Sequence, residues 1–397
     1  MNFEKIYIYT CEPFPHGLAG TNRLIAYAKG FMHHGRDVEV VCFRKTEKPE
    51  RILNSNVSGV YQGIHFRYLA NTTVISKVFV KRRIDDVILY LKLFAHAIKF
   101  INKRSVLIYY ASSTSHLFIL KAIVAIKGSR IFKEESEHPH VYARNKGLIP
   151  KLVFMHLHYR LFDGSFLMTK TLVNYFDNNK LVTKPILHVP MTVEVDRFSH
   201  SPEEKGSSKE IVYTGMLDDK KDGTDILIKA FSKISPEHPE YFLSLYGEAS
   251  SPADNKRYAE MAEQLNVRDK IRFHGRVSRD LITQRIVNAA ILVLPRPDSI
   301  QAQSGFPTKL GEYLATGVPV IATAVGEIPD YLKDNESVFM AVPGSRDSLV
   351  EKFRLIINDY PKALEVAKQG QLVANRNFSH IKQTENMIAF IEKDIKR

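Results

Sequence analysis

Leu294–Asp330 reads LPRPDSIQAQSGFPTKLGEYLATGVPVIATAVGEIPD. A buried strand ends at Pro295, and a loop carries Arg296 and Asp298. Gly305 and Phe306 lead into Pro307-Thr308, residues that suit the opening of a helix. Gly317 stops that helix, and VPVIAT returns as a strand. The helix start presents free amides and a positive dipole end. Lys309 adds a charge there, and Glu312 follows one turn later on the same face. Amides with a lysine suit a diphosphate, and a carboxylate one turn on suits sugar hydroxyls. An ordinary capped helix with a Lys309–Glu312 pair fits the same residues.

The alternation extends outward in both directions. Lys5–Thr10, Asp37–Phe43, Ser105–Ser112, Arg130–Glu134, Gly164–Thr169 and Ile186–Pro190 read as strands, with helices between them. After the polar stretch Ser201–Glu210, strands are expected at Ile211–Gly215, Tyr241–Gly247, Lys270–Gly275, Ala290–Pro295, Val318–Thr323 and Ser337–Val342. Repeated βα units predict parallel sheets covered by helices. The expectation is α/β: two Rossmann-like domains, residues 1–200 and 201–378, facing across a cleft that holds the ligands. The last segment, 379–397, reads as an amphipathic helix with Ile381, Thr384, Ile388, Ile391 and Ile395 on one face, packing back on the first domain.

Composition narrows the class. The chain has 397 residues, 44% hydrophobic and 25% charged, an ordinary globular balance. Two cysteines, Cys11 and Cys42, cannot build a disulfide scaffold, which suggests a reducing, cytoplasmic setting. The start MNFEKIYIYT does not read as a signal peptide. No Cys/His cluster has metal-site spacing, so no bound metal is expected. Net charge is +13, and the excess is one-sided: residues 1–200 hold 29 Lys+Arg against 15 Asp+Glu, the rest 27 against 28. Such asymmetry points to an anionic partner. The stretch Lys77–Arg104, basic at both ends and apolar between, reads either as a core helix with solvated ends, the favoured reading, or as a segment lying on an anionic membrane surface. Nucleic acid would need aromatics interleaved with basic residues in a known module, and none is found.

The Leu294–Asp330 segment resembles the nucleotide-sugar signature of family 4 glycosyltransferases, which are retaining and have the GT-B fold. Glu312, Gly317, Pro319 and Val320 match that signature. Ser304 stands where its first glutamate would fall, with Asp298 a possible stand-in. YTGMLDDKKDG (Tyr213–Gly223) and IRFHGRVS (Ile271–Ser278) extend the likeness. The resemblance implies that Lys221, Arg296, Thr308 and Lys309 hold the donor diphosphate and that Glu312 holds the ribose. The His274–Val277 region would lie near the base. Gly17, Gly20, Gly305 and Phe306 would line the donor and acceptor loops. In KEESEHPH (Lys133–His140), Glu137 and His138 are the catalytic candidates facing the acceptor. The expected activity is metal-independent transfer of a hexose, without a cofactor, from a nucleotide-diphosphate sugar to a saccharide or polyprenyl-diphosphate-linked saccharide. The setting would be bacterial surface polysaccharide synthesis at the inner face of the cell membrane. A GT-B nucleotide-sugar epimerase and a basic nucleic-acid-binding protein are the alternatives.

Overall fold

The computed structural model describes residues 3–143, 147–198, 208–303 and 305–395. It divides into two compact units, Met1–Thr192 with His380–Arg397, and Val193–Ser379. The division falls at Thr192/Val193 rather than at residue 200, because Val193 pairs with Ser379 through the backbone. Most of the expected linker, residues 201–207, lies outside the described residues.

The first unit is built on eight strands: β1 (Lys5–Thr10), β2 (Asp37–Cys42), β3 (Ser58–Tyr61), β4 (Ile64–Tyr68), β5 (Ser105–Tyr110), β6 (Arg130–Glu135), β7 (Gly164–Leu167) and β8 (Ile186–His188). Their order is β3-β4-β2-β1-β5-β6-β7-β8. All neighbours are parallel except the β3–β4 hairpin. That hairpin is missing from the sequence reading. Its turn, Gln62-Gly63, takes positive φ at both residues (50° and 84°), the geometry that matches the twist of paired strands.

Strand β1 shows why a parallel sheet needs helices on both faces. Ile6 and Ile8 pack with Leu24 and Phe31 of α1 (Ala19–His33). Tyr7 and Tyr9 point the other way, onto Leu93 of α2 (Phe79–Phe100) and Leu117 of α3 (Thr114–Lys127). His96 of α2 is bonded to Tyr9 Oη (3.0 Å), and Tyr90 of α2 stacks on His116 of α3 (ring centroids 4.1 Å apart).

The terminal helix His380–Ile395 lies along α1. Its covered face is His380, Gln383, Thr384, Met387 and Ile391, rotated from the expected isoleucine stripe, of which Ile388 and Ile395 are only partly covered. Gly30 sets that rotation: it lets α1 approach until the backbone carbonyl of His380 and the Thr384 hydroxyl occupy the space of a side chain.

The second unit has six parallel strands: β9 (Glu210–Thr214), β10 (Phe242–Tyr246), β11 (Ile271–Gly275), β12 (Ile291–Leu294), β13 (Val320–Thr323) and β14 (Phe339–Ala341). Their order is β11-β10-β9-β12-β13-β14. Apart from the β3–β4 hairpin, each sheet reverses its strand order once, between β1 and β5 in the first unit and between β9 and β12 in the second. In open α/β sheets, ligands bind beyond the strand C-termini at such a reversal. Among the described residues, no helix is long and apolar enough to cross a membrane.

Two outcomes follow. In an open helix Gly→Ala is stabilising, but at Gly30 the added carbon meets backbone that cannot yield. Gly30→Ala should therefore cost about 1–3 kcal/mol, read as a lower urea midpoint. Burial lowers His96 and His116 to about 4, whereas an unfolded histidine titrates near 6.5. Between those values the unfolded chain binds more protons, so this part of the stability is present above pH ~6.5 and is lost as pH falls toward 4. Urea midpoints measured across that window should fall in the wild type and fall less in His96→Gln.

Candidate functional site

In the second unit the reversal puts the loop after β9, residues 215–223, beside the loop after β12, residues 295–299. Gly215 follows β9 at φ 133°, and a β-carbon there would collide with the Lys309 ammonium. Lys309 belongs to the helix Thr308–Thr316, whose flanks are Pro307 and a left-handed Gly317 (φ 66°), as its sequence requires. Among the described residues no side chain caps the start of that helix, which leaves the Thr308 and Lys309 amides as donors there.

Lys309 Nζ donates to Asp222 Oδ1 (3.0 Å) and to Tyr213 Oη (3.1 Å). The Tyr213 hydroxyl in turn donates to the carbonyl of Met216 (2.6 Å), and burial raises the phenol far above its ordinary value, so it stays protonated. Burial pushes Lys309 below the usual lysine value, and Asp222 pulls the other way. Two of the three ammonium donors are thus used. What results is a fixed, partly desolvated cation, 18% exposed, at the foot of an uncapped helix. In low dielectric such a charge acts on an anion more strongly than a surface lysine does.

The other expected donor residues divide. Lys221 is exposed, its amide donating to Asp218 Oδ1 (2.6 Å), and its charge acts on Lys309, as does that of Arg296. Arg296 is buried. Its guanidinium donates to the carbonyls of Lys221 (3.2 Å) and Gly305 (3.1 Å). It therefore ties the two loops together. Glu312 does not pair with Lys309. It lies 3.5 Å from Arg197 Nη2. Phe306 is core, packed against Tyr331 and Phe378. His274 stacks on Tyr246 (4.2 Å) and bonds to Ser244 Oγ (3.1 Å), so its ring belongs to the sheet face. Asp298 is exposed and accepts from Gln303 (2.8 Å). Ser304 lies outside the described residues. Asp222 and Tyr213 are the residues the sequence reading missed; their partner is 87 and 96 positions away, too far for any local spacing to reveal.

In the first unit the reversal places the loop after β1 beside the ends of β5 and β6. Gly17 and Gly20 serve packing there: side chains would collide with Thr21 at one and stand against the Glu12 carboxylate at the other. Glu12 is the residue that reading overlooked. It is half-buried, and burial together with the nearby Glu134 raises its carboxyl above the ordinary range. Glu134 is itself fully buried, bonded to Arg23 Nε (2.6 Å) and reached by Tyr27 Oη (3.3 Å). Arg23 also donates to Val189 and Pro190 carbonyls. The Tyr110 hydroxyl, at the end of β5, is bonded with Ser136 Oγ after β6 (3.1 Å). Both Glu12 and Glu134 act on Tyr110, so these ends form one neighbourhood.

Glu137 is exposed. His138 is held by rings: Tyr175 at 4.2 Å and His140 at 5.0 Å. The His140 amide donates to His138 Nδ1 (3.3 Å), which assigns the proton to Nε2. Desolvation and His140 keep the imidazole below its usual value and neutral. Among the described residues, no group of three or more His, Cys, Asp or Glu is placed to hold a metal ion.

Comparison with known proteins adds to this geometry. Residues 194–373 match the family described as glycosyl transferases group 1. Among curated proteins, the phosphatidylinositol N-acetylglucosaminyltransferase gpi3 subunit of Schizosaccharomyces pombe is 28% identical over 138 residues, 35% of this chain and 28% of that protein. The chain matches only 14% to 36% of the length of the first curated relatives. Among solved structures, sucrose-phosphate synthase from Thermosynechococcus elongatus aligns with a TM-score of 0.75 over 98% of both chains at 15% identity. Anabaena HepE in complex with UDP aligns at 0.68, over 98% of this chain and 100% of that one, at 14% identity. The chain has the GT-B fold, its second unit matches the group 1 glycosyl transferases, and the matches support a glycosyltransferase.

Proposed function

We propose that the chain is a metal-independent, retaining hexosyltransferase of the family 4 type. It moves a hexose from a nucleotide-diphosphate sugar to a saccharide or polyprenyl-diphosphate-linked saccharide, in bacterial surface polysaccharide synthesis. The observation that carries the reading is the Lys309 ammonium, fixed by Asp222 and Tyr213 beside an uncapped helix at the strand-order reversal of the second unit. The UDP bound in HepE supports a nucleotide donor.

In this reading Lys309, Lys221 and the Thr308 and Lys309 amides hold the diphosphate, and Glu312 takes ribose hydroxyls. Arg296 is a positioning residue that keeps the two loops together. As the bond from the anomeric carbon to the diphosphate breaks, negative charge grows on the leaving oxygen, and a prearranged ammonium meets it without reorganising. The acceptor hydroxyl oxygen bonds to the same carbon on the same face as that bond breaks, and its proton passes to the Glu12 carboxylate. The first unit takes the acceptor: the Glu12 carboxylate accepts the hydrogen bond of its hydroxyl, and neutral His138 donates from Nε2 to a sugar oxygen.

Thermal unfolding with UDP, GDP, ADP or CMP tests the donor half. One nucleoside diphosphate should raise the midpoint, since a ligand of the native state stabilises it by mass action. Lys309→Met and Glu312→Gln should each lose most of that shift, and Asp222→Asn should weaken it. No shift with any nucleotide at millimolar concentration would sink the donor site. Glu12→Gln tests the acceptor half. It should keep the nucleotide shift and lower transfer about a hundredfold. Because Glu12 works as a carboxylate and its pKa is raised, wild-type transfer should rise with pH through a value above the ordinary ~4.3. That acid limb should vanish in the Gln variant. An unchanged pH profile removes Glu12 from the reaction.

A further inference from the structure

Helix α2 has two apolar faces, and only one of them is covered. Leu89, Leu93, His96 and Ala97 are buried against the sheet side. On the opposite side Val80, Ile84, Val87, Leu91, Phe94 and Ile98 recur at helical spacing, forming a single stripe along the helix. Every one of the six is exposed, between 37% and 67%. On the neighbouring helix α3, which packs beside α2, Phe118 (45%) and Ile126 (77%) are exposed as well. Scattered exposed hydrophobics are normal, but an aligned row is not.

The borders of the stripe are basic. Lys77–Arg104 holds eight Lys or Arg against two Asp. At the N-terminal end of α2 lies a pocket of about 330 Å³ whose lining includes Arg44, Lys45, Phe79, Arg82 and Arg83. Lys45 is neutralised by Asp85 (2.5 Å), and Arg83 lies 3.6 Å from Asp86. Arg44 and Arg82 have no ion pair among the described residues.

We infer that this face of the first unit, the α2 stripe with the basic pocket at its end, docks on a bilayer rich in anionic lipid. The apolar row enters the headgroup–acyl boundary, and Arg44, Arg82 and Arg83 meet lipid phosphates. Charge decides the occupant. A second copy would bring the same basic border against this one and be repelled, whereas an anionic surface is attracted by each basic residue near it. A row of apolar side chains with cationic flanks and no spanning length is the pattern of a helix lying in the interface. This docking does not depend on the transfer chemistry and is read without donor or acceptor.

The experiment is co-sedimentation of the full chain with vesicles of phosphatidylcholine alone and of phosphatidylcholine mixed with phosphatidylglycerol. Binding is expected on the mixed vesicles only. Arg82→Glu with Arg83→Glu, and separately Val87→Ser with Leu91→Ser, should each weaken it about tenfold or more. All four positions are exposed, so thermal midpoints should stay at the wild-type value and confirm folding. No binding to the mixed vesicles overturns the inference, as does binding that ignores both variants. Sedimentation of the lipid-free chain supplies a third arm: a dimer that dissociates with Leu91→Ser would give the stripe to a second copy and equally overturn it.

Discussion

A doubly wound sheet leaves an uncovered notch where its strand order reverses, because the connections on either side depart in opposite directions. The polar machinery of this chain depends on that constraint twice. In the second unit the notch between β9 and β12 receives a glycine, a helix start and a lysine. In the first, the notch between β1 and β5 receives a carboxylate above a buried Arg23–Glu134 pair. Each set stands where the connections on the two sides of the strand-order reversal part.

The two notches handle charge in opposite ways. Lys309 loses hydration but gains Asp222, so the cation is kept and fixed. Breaking such a pair by removing the acid would leave a half-solvated ammonium with less reason to stay charged. Glu12 loses hydration and gains a like-charged neighbour, which disfavours its ionised form. One site holds a positive charge ready for an anion, and the other holds a carboxylate that readily takes a proton or a hydrogen bond from a hydroxyl. This division suits a reaction whose leaving group becomes more negative while its nucleophile gives up a proton.

Much of the fold was legible because parallel strands buried on both faces leave short apolar runs between helical patterns, and the run from β9 to β14 follows them closely. The β3–β4 hairpin was missed: SGVY and IHFRY are short strands at one side of the sheet, and their only signal is Gln62-Gly63. The helix that carries Lys309 and Glu312 was legible because a helix start announces itself in sequence as Pro-Thr before and Gly after. Asp222 and Tyr213 could not, because ion-pair partners in a parallel sheet come from distant loops. Arg296 was read as a free positive charge, yet its guanidinium binds main-chain carbonyls. Sequence gives the charge of an arginine and not the direction in which it is spent. Glu12 sits between a cysteine and a proline with no spacing to mark it.

Helix α2 teaches the same lesson about hydrophobicity. VILYLKLFAHAI is apolar on two sides of one helix, so periodicity predicts burial without saying how much of it the chain itself can provide. The sheet can cover one side only: Tyr7 and Tyr9 fill the space beneath Leu93 and His96, and α3 closes one flank. For a helix held by packing of a single face, a second row of six large apolar side chains adds nothing to folding and keeps apolar surface in contact with water. Leu91, at 67% exposed, is the extreme case. Burying such a side chain is worth roughly 1.5–3 kcal/mol, and the described residues supply no surface that realises this gain. The basic border of the row states the sign of charge that surface must carry.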